Sequence, residues 1–448
     1  MRSLNNISIG KDGKYEYKDI FIKVQEYISS NFQELFSDDN IDNKKDKKER
    51  LKRYISQYLM AKKIRCTEES NTENLINRLY RDMAEFSFIT VWLERAEEIG
   101  LEEININSWD DIEVIISGQK KKVSEKFVSP QHAVNIIRRM LQRSGAIIDD
   151  GSPYALGSIG KNIRITAIKT PLLDDDVGIC ASIRIVSSAR ISKDKLSKGT
   201  ATESMLEFLA GILRYGVSIC VAGNTGSGKT STAGWLLSTI PNNKRIYTIE
   251  QGSRELSLVK RDSDNVVVNS VIHTITRKSD DEKYDVSQET LLDLALRFNP
   301  DIICVGEMRS SEAFAAQEAA RTGHTVITTI HSKTAVSTYM RMTTLAKRAY
   351  EFDDLTLMNL MVEAFPIIVY QRQLEDYSRK IMEIIEGEKY ENGKIVYRTL
   401  FRYLVDDNYI ENGRKVVKGH FEQCEKISDS LRRELLQNGA PKKFTDKF

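Results

Sequence analysis

Apolar residues recur along this chain in two rhythms, and the points where one gives way to the other mark its elements. Ile20, Ile22, Val24, Tyr27 and Ile28 are spaced as on a helix, among Lys, Asp, Glu and Asn. Residues 1–85 are therefore expected to form a charged helical amino-terminal region. From 86 to 186 the runs EEININ, DIEVII and IRITAI alternate with a period of two, while QHAVNIIRRMLQRSG returns to helical spacing. That mixture predicts a small α/β domain. SSARISKDKLSKGTAT, residues 187–202, is polar and rich in Ser and Lys, and reads as a linker or hinge.

Residues 203–448 carry longer apolar runs. ESMLEFLAGILRYG has the spacing of an amphipathic helix that Gly216 can end, and VSICVAG follows as a buried strand. RIYTIE, DIICVGE and TVITTIH are further strands, closed by Glu250, Glu307 and His331. Between them lie two helical segments. ETLLDLALRF stops at Asn299 and Pro300, and SSEAFAAQEAART is expected to be capped by Ser310 and ended by Gly323. Strand alternating with helix is the pattern of a RecA-like α/β motor core, so the fold class is α/β. The tail reads as FPIIVYQRQLED in a strand, then IMEIIEG, IVYRTLFRYLV and a charged closing helix, with no chemistry of its own.

Composition narrows the possibilities. The chain has 448 residues, more than one ordinary core, and a net charge of +2. No run approaches the ~18 apolar residues of a membrane span, so a membrane role is expected to pass through partners or surface contact. MRSLNNISIGKDGKYEYKD lacks the apolar centre of a secretory signal, which places the chain in the cytoplasm as an expectation. Five scattered cysteines, without a CxxC pair, suit neither a disulfide framework nor a structural zinc site and read as reduced, mostly core residues. From Lys44 to Arg65 ten Lys or Arg stand against two acids, a local net of +8. A solvated helix face accounts for this, and contact with anionic lipid or nucleic acid is the sharper alternative.

The chemistry concentrates at AGNTGSGKT. Gly223, Asn224, Thr225, Gly226, Ser227, Gly228, Lys229, Thr230 and Ser231 lie between a buried strand and a helix, the setting of a phosphate-binding loop. The glycines let the backbone approach phosphate with N–H groups inward, Lys229 supplies charge at the β/γ-phosphates, and Thr230 offers a hydroxyl to Mg²⁺. The expected ligands are ATP and Mg²⁺. In an open parallel sheet, ligands gather at the carboxyl ends of strands, so Glu250, Glu307 and His331 are expected on the same edge as this loop. Glu307 is the candidate to polarise the attacking water, and Glu250 the second acid, for Mg²⁺ or water positioning. His324 and His331, flanking one strand, are candidate γ-phosphate sensors at the nucleotide edge.

AGNTGSGKT, IEQGSREL, LALRFNPDIICVGEMRSSEA and RTGHTVITTIHS resemble the Walker A, Asp-box, Walker B and His-box motifs of the type II/type IV secretion ATPase superfamily. The resemblance extends over roughly residues 90–440, nearest the tight-adherence pilus ATPases (the CpaF type), neighbours of VirB11-like ATPases. It implies a hexameric motor that powers pilus assembly or the export of protein or DNA, working against an inner-membrane platform protein at the inner face of the cell membrane. It also implies a basic residue reaching the γ-phosphate from the amino-terminal domain, matched here by Arg184 and Arg164, with Arg277 and Arg309 as motor-domain candidates. The Asp box departs from the family, since Glu250 is followed by Gln251 and the next acid is Glu255. A GTPase is excluded because NKKD, Asn43 to Asp46, precedes the loop. A nucleic-acid motor remains the alternative enzyme, though the +8 segment offers only Tyr54 and Tyr58 for stacking, and nucleic acid is not an expected partner. The non-enzyme alternative is an adaptor whose nucleotide only stabilises an assembly.

Overall fold

The computed structural model describes residues 14–32, 44–160, 162–186, 192–252, 254–277, 279, 281–348 and 351–448. Parts of the expected amino-terminal region (1–13 and 33–43) and of the linker (187–191) lie outside the described residues. The chain divides into two compact units, Met1–Val186 and Ser187–Phe448.

In the first unit, strands β1 (Lys14–Tyr15) and β2 (Arg65–Cys66) pair in parallel, and helices Tyr17–Asn31, Lys44–Ala61 and Thr72–Ala84 build a core around them. Ile20, Val24 and Ile28 are buried at a spacing of four, as are Leu51, Ile55 and Leu59 of the basic helix. Ile22 is exposed instead, because two residues advance about 200° around a helix and carry it off the buried stripe. Tyr27 stacks on Tyr58 and Phe32 on Tyr54, with ring centroids 4.5 and 3.9 Å apart.

Strands β3 (Leu101–Ile106), β4 (Ile112–Ile116), β5 (Gln119–Lys122), β6 (Tyr154–Ile159), β7 (Ile163–Lys169) and β8 (Ile179–Ile185) form an antiparallel sheet in the order β5-β4-β3-β8-β7-β6. Helix Pro130–Gln142 buries Ala133, Ile136, Ile137 and Met140 in the core that holds Ile104, Val114, Ile165 and Ile183 of the sheet. Its start is fixed by Pro130 at the first turn and by the Ser129 hydroxyl, which accepts from the His132 N–H at 3.1 Å.

The second unit is built on nine strands: β9 (Ile219–Gly223), β10 (Arg245–Glu250), β11 (Ser270–Ile275), β12 (Ile302–Met308), β13 (Thr325–Ile330), β14 (Ile367–Gln373), β15 (Arg379–Glu391), β16 (Lys394–Glu411) and β17 (Arg414–Gln423). Their order is β11-β10-β12-β13-β9-β14-β15-β16-β17, parallel from β11 to β14 and antiparallel beyond. The loop strand β9 is separated from β12 by β13, a RecA-like arrangement. Apolar cores cover both faces of the parallel part, which is why its strands read as unbroken apolar runs.

Two sequence expectations shift here. Within 187–202, residues Lys193–Ser197 form a short helix, and Leu196 and Ala201 are buried in the second unit's core, so this half of the stretch is packed structure and not a free linker. The tail closes with two helices, Asp429–Gln437 and Lys442–Lys447, and the final Phe448 is buried against Phe208 at 5.2 Å between centroids. Cys66, Cys220 and Cys304 are buried, whereas Cys180 is half-buried and Cys424 exposed. Among the described residues no helix is long and apolar enough to cross a membrane.

Candidate functional site

β9 ends at Gly223 and helix Lys229–Ser238 begins six residues later, so the segment between them must turn back tightly over the sheet edge. Gly226 and Gly228 take φ of +75° and +92°, which other residues adopt only with strain. Gly223 is required for a different reason. A Cβ there would collide with the carbonyl oxygen of Gln371 on the adjoining strand. Ser227 is fully buried, and its hydroxyl donates to the Asn224 carbonyl at 2.8 Å. Lys229 is buried and its ammonium donates to the same carbonyl at 2.9 Å. Thr230 and Ser231 are half-buried in the first turn of the helix, where the macrodipole is positive. Such a cradle of glycines with a buried Lys and an adjacent hydroxyl fits a nucleotide polyphosphate with Mg²⁺, and Thr230 is the residue that would hold the cation.

The sheet brings Glu250, Glu307 and His331 to this edge, because β10, β12 and β13 all run parallel to β9. Ile330 pairs with Ala222, so His331 follows β13 beside the start of the loop. The β12–β13 register slips between Val305 and Met308, a bulge that re-aims the side chain of Glu307. Gly306 sits within that bulge, where a Cβ would come 3.1 Å from the Ile249 carbonyl, and the Gly306 carbonyl accepts from the Thr329 hydroxyl at 2.7 Å.

Glu307 lies between two cationic or potentially cationic neighbours. Its Oε2 accepts from Arg309 Nη2 at 2.7 Å, and its Oε1 is 3.2 Å from His331 Nε2. Burial pushes the Glu307 carboxyl up, but the Arg309 bond and charge, then His331 and Lys229, outweigh it and hold the group below its ordinary 4.5. Burial, followed by the Lys229 ammonium, holds the His331 imidazole below its ordinary 6.5, against the pull of Glu307. At neutral pH the pair is thus a carboxylate beside a neutral imidazole. Arg309 also donates to Gln251 at 3.3 Å, so the residue that departs from the expected acidic box is tied to the Glu307 cluster.

Glu250 has a different environment. It is 4% exposed, and its Oε1 accepts from the backbone N–H groups of Glu255 and Leu256 at 2.6 and 3.0 Å. Its carboxylate shapes the following turn at the carboxyl end of β10, the third strand over from β9.

His324 is a correction. It precedes the amino end of β13, whereas the loop follows the carboxyl end of β9, so the strand separates the two histidines by roughly 20 Å at ~3.3 Å per residue. Within one chain His324 and His331 do not share an edge. Ser310 is a second correction, since Ser311 is the N-cap of the helix Glu312–Arg321 and no side chain caps it, while the Glu312 carboxylate accepts from the N–H groups of Arg309 and Ser310 ahead of the helix. Arg164 and Arg184 are cross-strand partners in the first unit, with Glu103 opposite Arg184 on its other side. Arg277 makes a bridge with Val286.

The sequence reading assigned no chemistry to the tail, yet β14 and β15 touch the loop. Gln371 is buried and accepts from the Thr232 hydroxyl at 2.8 Å, and Arg379 Nε donates to the Gly226 carbonyl at 2.8 Å. The available signal was Gln371 itself, an amide directly after the apolar run Ile367–Tyr370, which cannot be buried without partners.

A family model described as "Type II/IV secretion system protein" matches residues 70–396, more than half of the chain. The uncharacterized protein MJ0900 of Methanocaldococcus jannaschii is 31% identical over 62% of this chain and 48% of its own length. The chain therefore spans about half of that relative. The type IV secretion system protein VirB11 of Bartonella quintana is 26% identical over 57% of this chain and 80% of its own. Among solved structures, the Legionella pneumophila ATPase DotB is 18% identical, covering 80% of this chain and 85% of that one, with a TM-score of 0.48.

Proposed function

We propose that this chain, which belongs to the type II/IV secretion system protein family, is an ATP-hydrolysing motor that powers pilus assembly or type II/IV-like secretion. It acts in the cytoplasm at the inner face of the membrane, as a ring of six subunits against an inner-membrane platform protein. The single observation that carries the reading is one sheet edge on which the Gly223–Thr230 cradle meets the Glu307–His331 pair.

In this reading the loop N–H groups and Lys229 hold the β- and γ-phosphates. Mg²⁺, held through Thr230, would neutralise phosphate charge. A water attacks the γ-phosphorus as the bond to the β,γ-bridging oxygen breaks, and ADP departs with that electron pair. Glu307, kept below its ordinary pKa, is a weak base. Its role is to orient the water, whose proton ends on the released phosphate. The neutral His331 beside it supplies the group that registers the γ-phosphate. Arg184, from the first unit, is the proposed arginine that reaches the γ-phosphate.

The nucleic-acid alternative loses support from packing, because Tyr54 and Tyr58 of the basic helix are already stacked on Phe32 and Tyr27. Contact of the Lys44–Ala61 helix with anionic lipid remains the reading of its basic residues. Magnesium-dependent phosphate release from ATP is the direct test, run on the wild type and Lys229→Ala. Turnover by the wild type, abolished in the variant, supports the motor. Equal turnover in both overturns it, and stimulation by DNA that disappears at raised salt favours the nucleic-acid reading instead.

A further inference from the structure

The phosphate loop is gripped from outside by the hairpin β14–β15. Gln371 pairs with Gly223 across the β9–β14 ladder, and the register of β14 against β15 slips between Tyr370 and Gln371, so the strand is re-aimed where it passes the loop. Beyond the turn at 374–378, Arg379 opens β15 and reaches back over the loop. Its Nε donates to the Gly226 carbonyl at 2.8 Å, and its Cδ lies 3.4 Å from where a Cβ on Gly228 would stand. The strand that presents it is fixed: the Ile381 N–H donates to the Thr200 carbonyl at 2.8 Å, and the Lys380 ammonium lies over the rings of Tyr403 and Phe421 at 5.3 and 6.0 Å.

This contact has a directional consequence. In a trans peptide the C=O and the following N–H point to opposite sides. Anchoring the Gly226 carbonyl to Arg379 therefore turns the Ser227 N–H to the opposite side, where it donates to the Asn224 carbonyl at 3.3 Å, the acceptor it shares with the Lys229 ammonium. Inward N–H groups are what a phosphate-binding loop requires, and a glycine at φ +75° would otherwise be free to flip this peptide.

We infer that Arg379 is a positioning residue of the nucleotide site, holding the Gly226–Ser227 peptide in its phosphate-binding orientation through the hydrogen bond from its Nε to the Gly226 carbonyl. The inference rests on reading Gly223–Thr230 as a phosphate loop. It concerns affinity for phosphates rather than the chemical step, since Arg379 touches backbone and not the reacting atoms.

Two substitutions separate the bond from bulk and charge. Arg379→Met keeps the length of the stem without a donor. Arg379→Gln restores a neutral N–H at the position of Nε. Titration with a fluorescent ATP analogue and turnover at saturating ATP are measured on both, with the wild type and Lys229→Ala. In Arg379→Met the affinity should fall roughly tenfold or more, the loss of one charge-assisted bond, while turnover at saturation changes less than threefold. Arg379→Gln should recover most of the affinity. Affinity within twofold of wild type in Arg379→Met, or no recovery in Arg379→Gln, overturns the inference. If Lys229→Ala binds nucleotide like the wild type, the phosphate-loop reading itself fails; if it does not bind while Arg379→Met does, that reading stands and this inference alone is lost.

Discussion

Replacing Glu307 by Gln tests which acid at the sheet edge does the chemistry. The substitution keeps shape and one hydrogen-bond acceptor but removes the charge that orients water, so turnover should fall by roughly 10²–10⁴. The cost to the fold is small. Arg309, the partner at 2.7 Å, is 60% exposed, so solvent screening limits the pair to about 1 kcal/mol or less. That corresponds to a melting shift of no more than ~4 °C for a unit of this size. Glu250→Gln makes the opposite prediction. Two backbone N–H groups converge on one of its oxygens, and turning two charge-assisted bonds into neutral ones costs about 2 kcal/mol together, or a drop of ~4–8 °C. The assay is phosphate release at saturating ATP and Mg²⁺, with nucleotide titration and thermal melting on the same samples. Glu307→Gln should bind ATP and fail to turn it over at a nearly unchanged midpoint. Turnover above a tenth of wild type in Glu307→Gln, together with loss in Glu250→Gln at an unshifted midpoint, would reverse the two roles.

Other expectations are as specific. His331→Ala should lower turnover at least tenfold and His324→Ala less than threefold in dilute protein, because only His331 lies beside Glu307; equal losses would refute the division. Arg184→Ala should reduce turnover far more than ATP affinity, and equal losses would remove it from the site. The folded Glu307 carboxyl titrates below its ordinary 4.5, so its stabilising contribution is complete above that value and disappears as pH falls through the lower folded value. The difference in melting point between wild type and Glu307→Gln should accordingly vanish in acid, and a difference that grows there would contradict the pairing. If the exposed basic residues of Lys44–Ala61 meet anionic lipid, reversing Lys45, Arg50 and Arg53 to Glu should abolish sedimentation with phosphatidylserine vesicles and leave turnover in solution unchanged.

Much of this protein was legible in its sequence because the controlling physics there is local. A loop that must bring backbone to phosphate requires glycines at fixed spacing, and strands covered on both faces must be apolar throughout, so AGNTGSGKT and the runs ending at Glu250, Glu307 and His331 revealed both the loop and its edge. Tertiary structure decided what depends on neighbours distant in the chain. Strand order placed His331 between the loop and Glu307, and strand direction sent His324 to the opposite end, which seven residues of sequence separation do not express. A bulge at Gly306 aimed Glu307, and the surroundings of each carboxylate separated one bound by backbone amides from one held by Arg309. The tail looked chemically silent because its part is to orient a peptide about 150 residues earlier, and a contact of that range leaves no periodicity, only the buried amide of Gln371 following the apolar run Ile367–Tyr370.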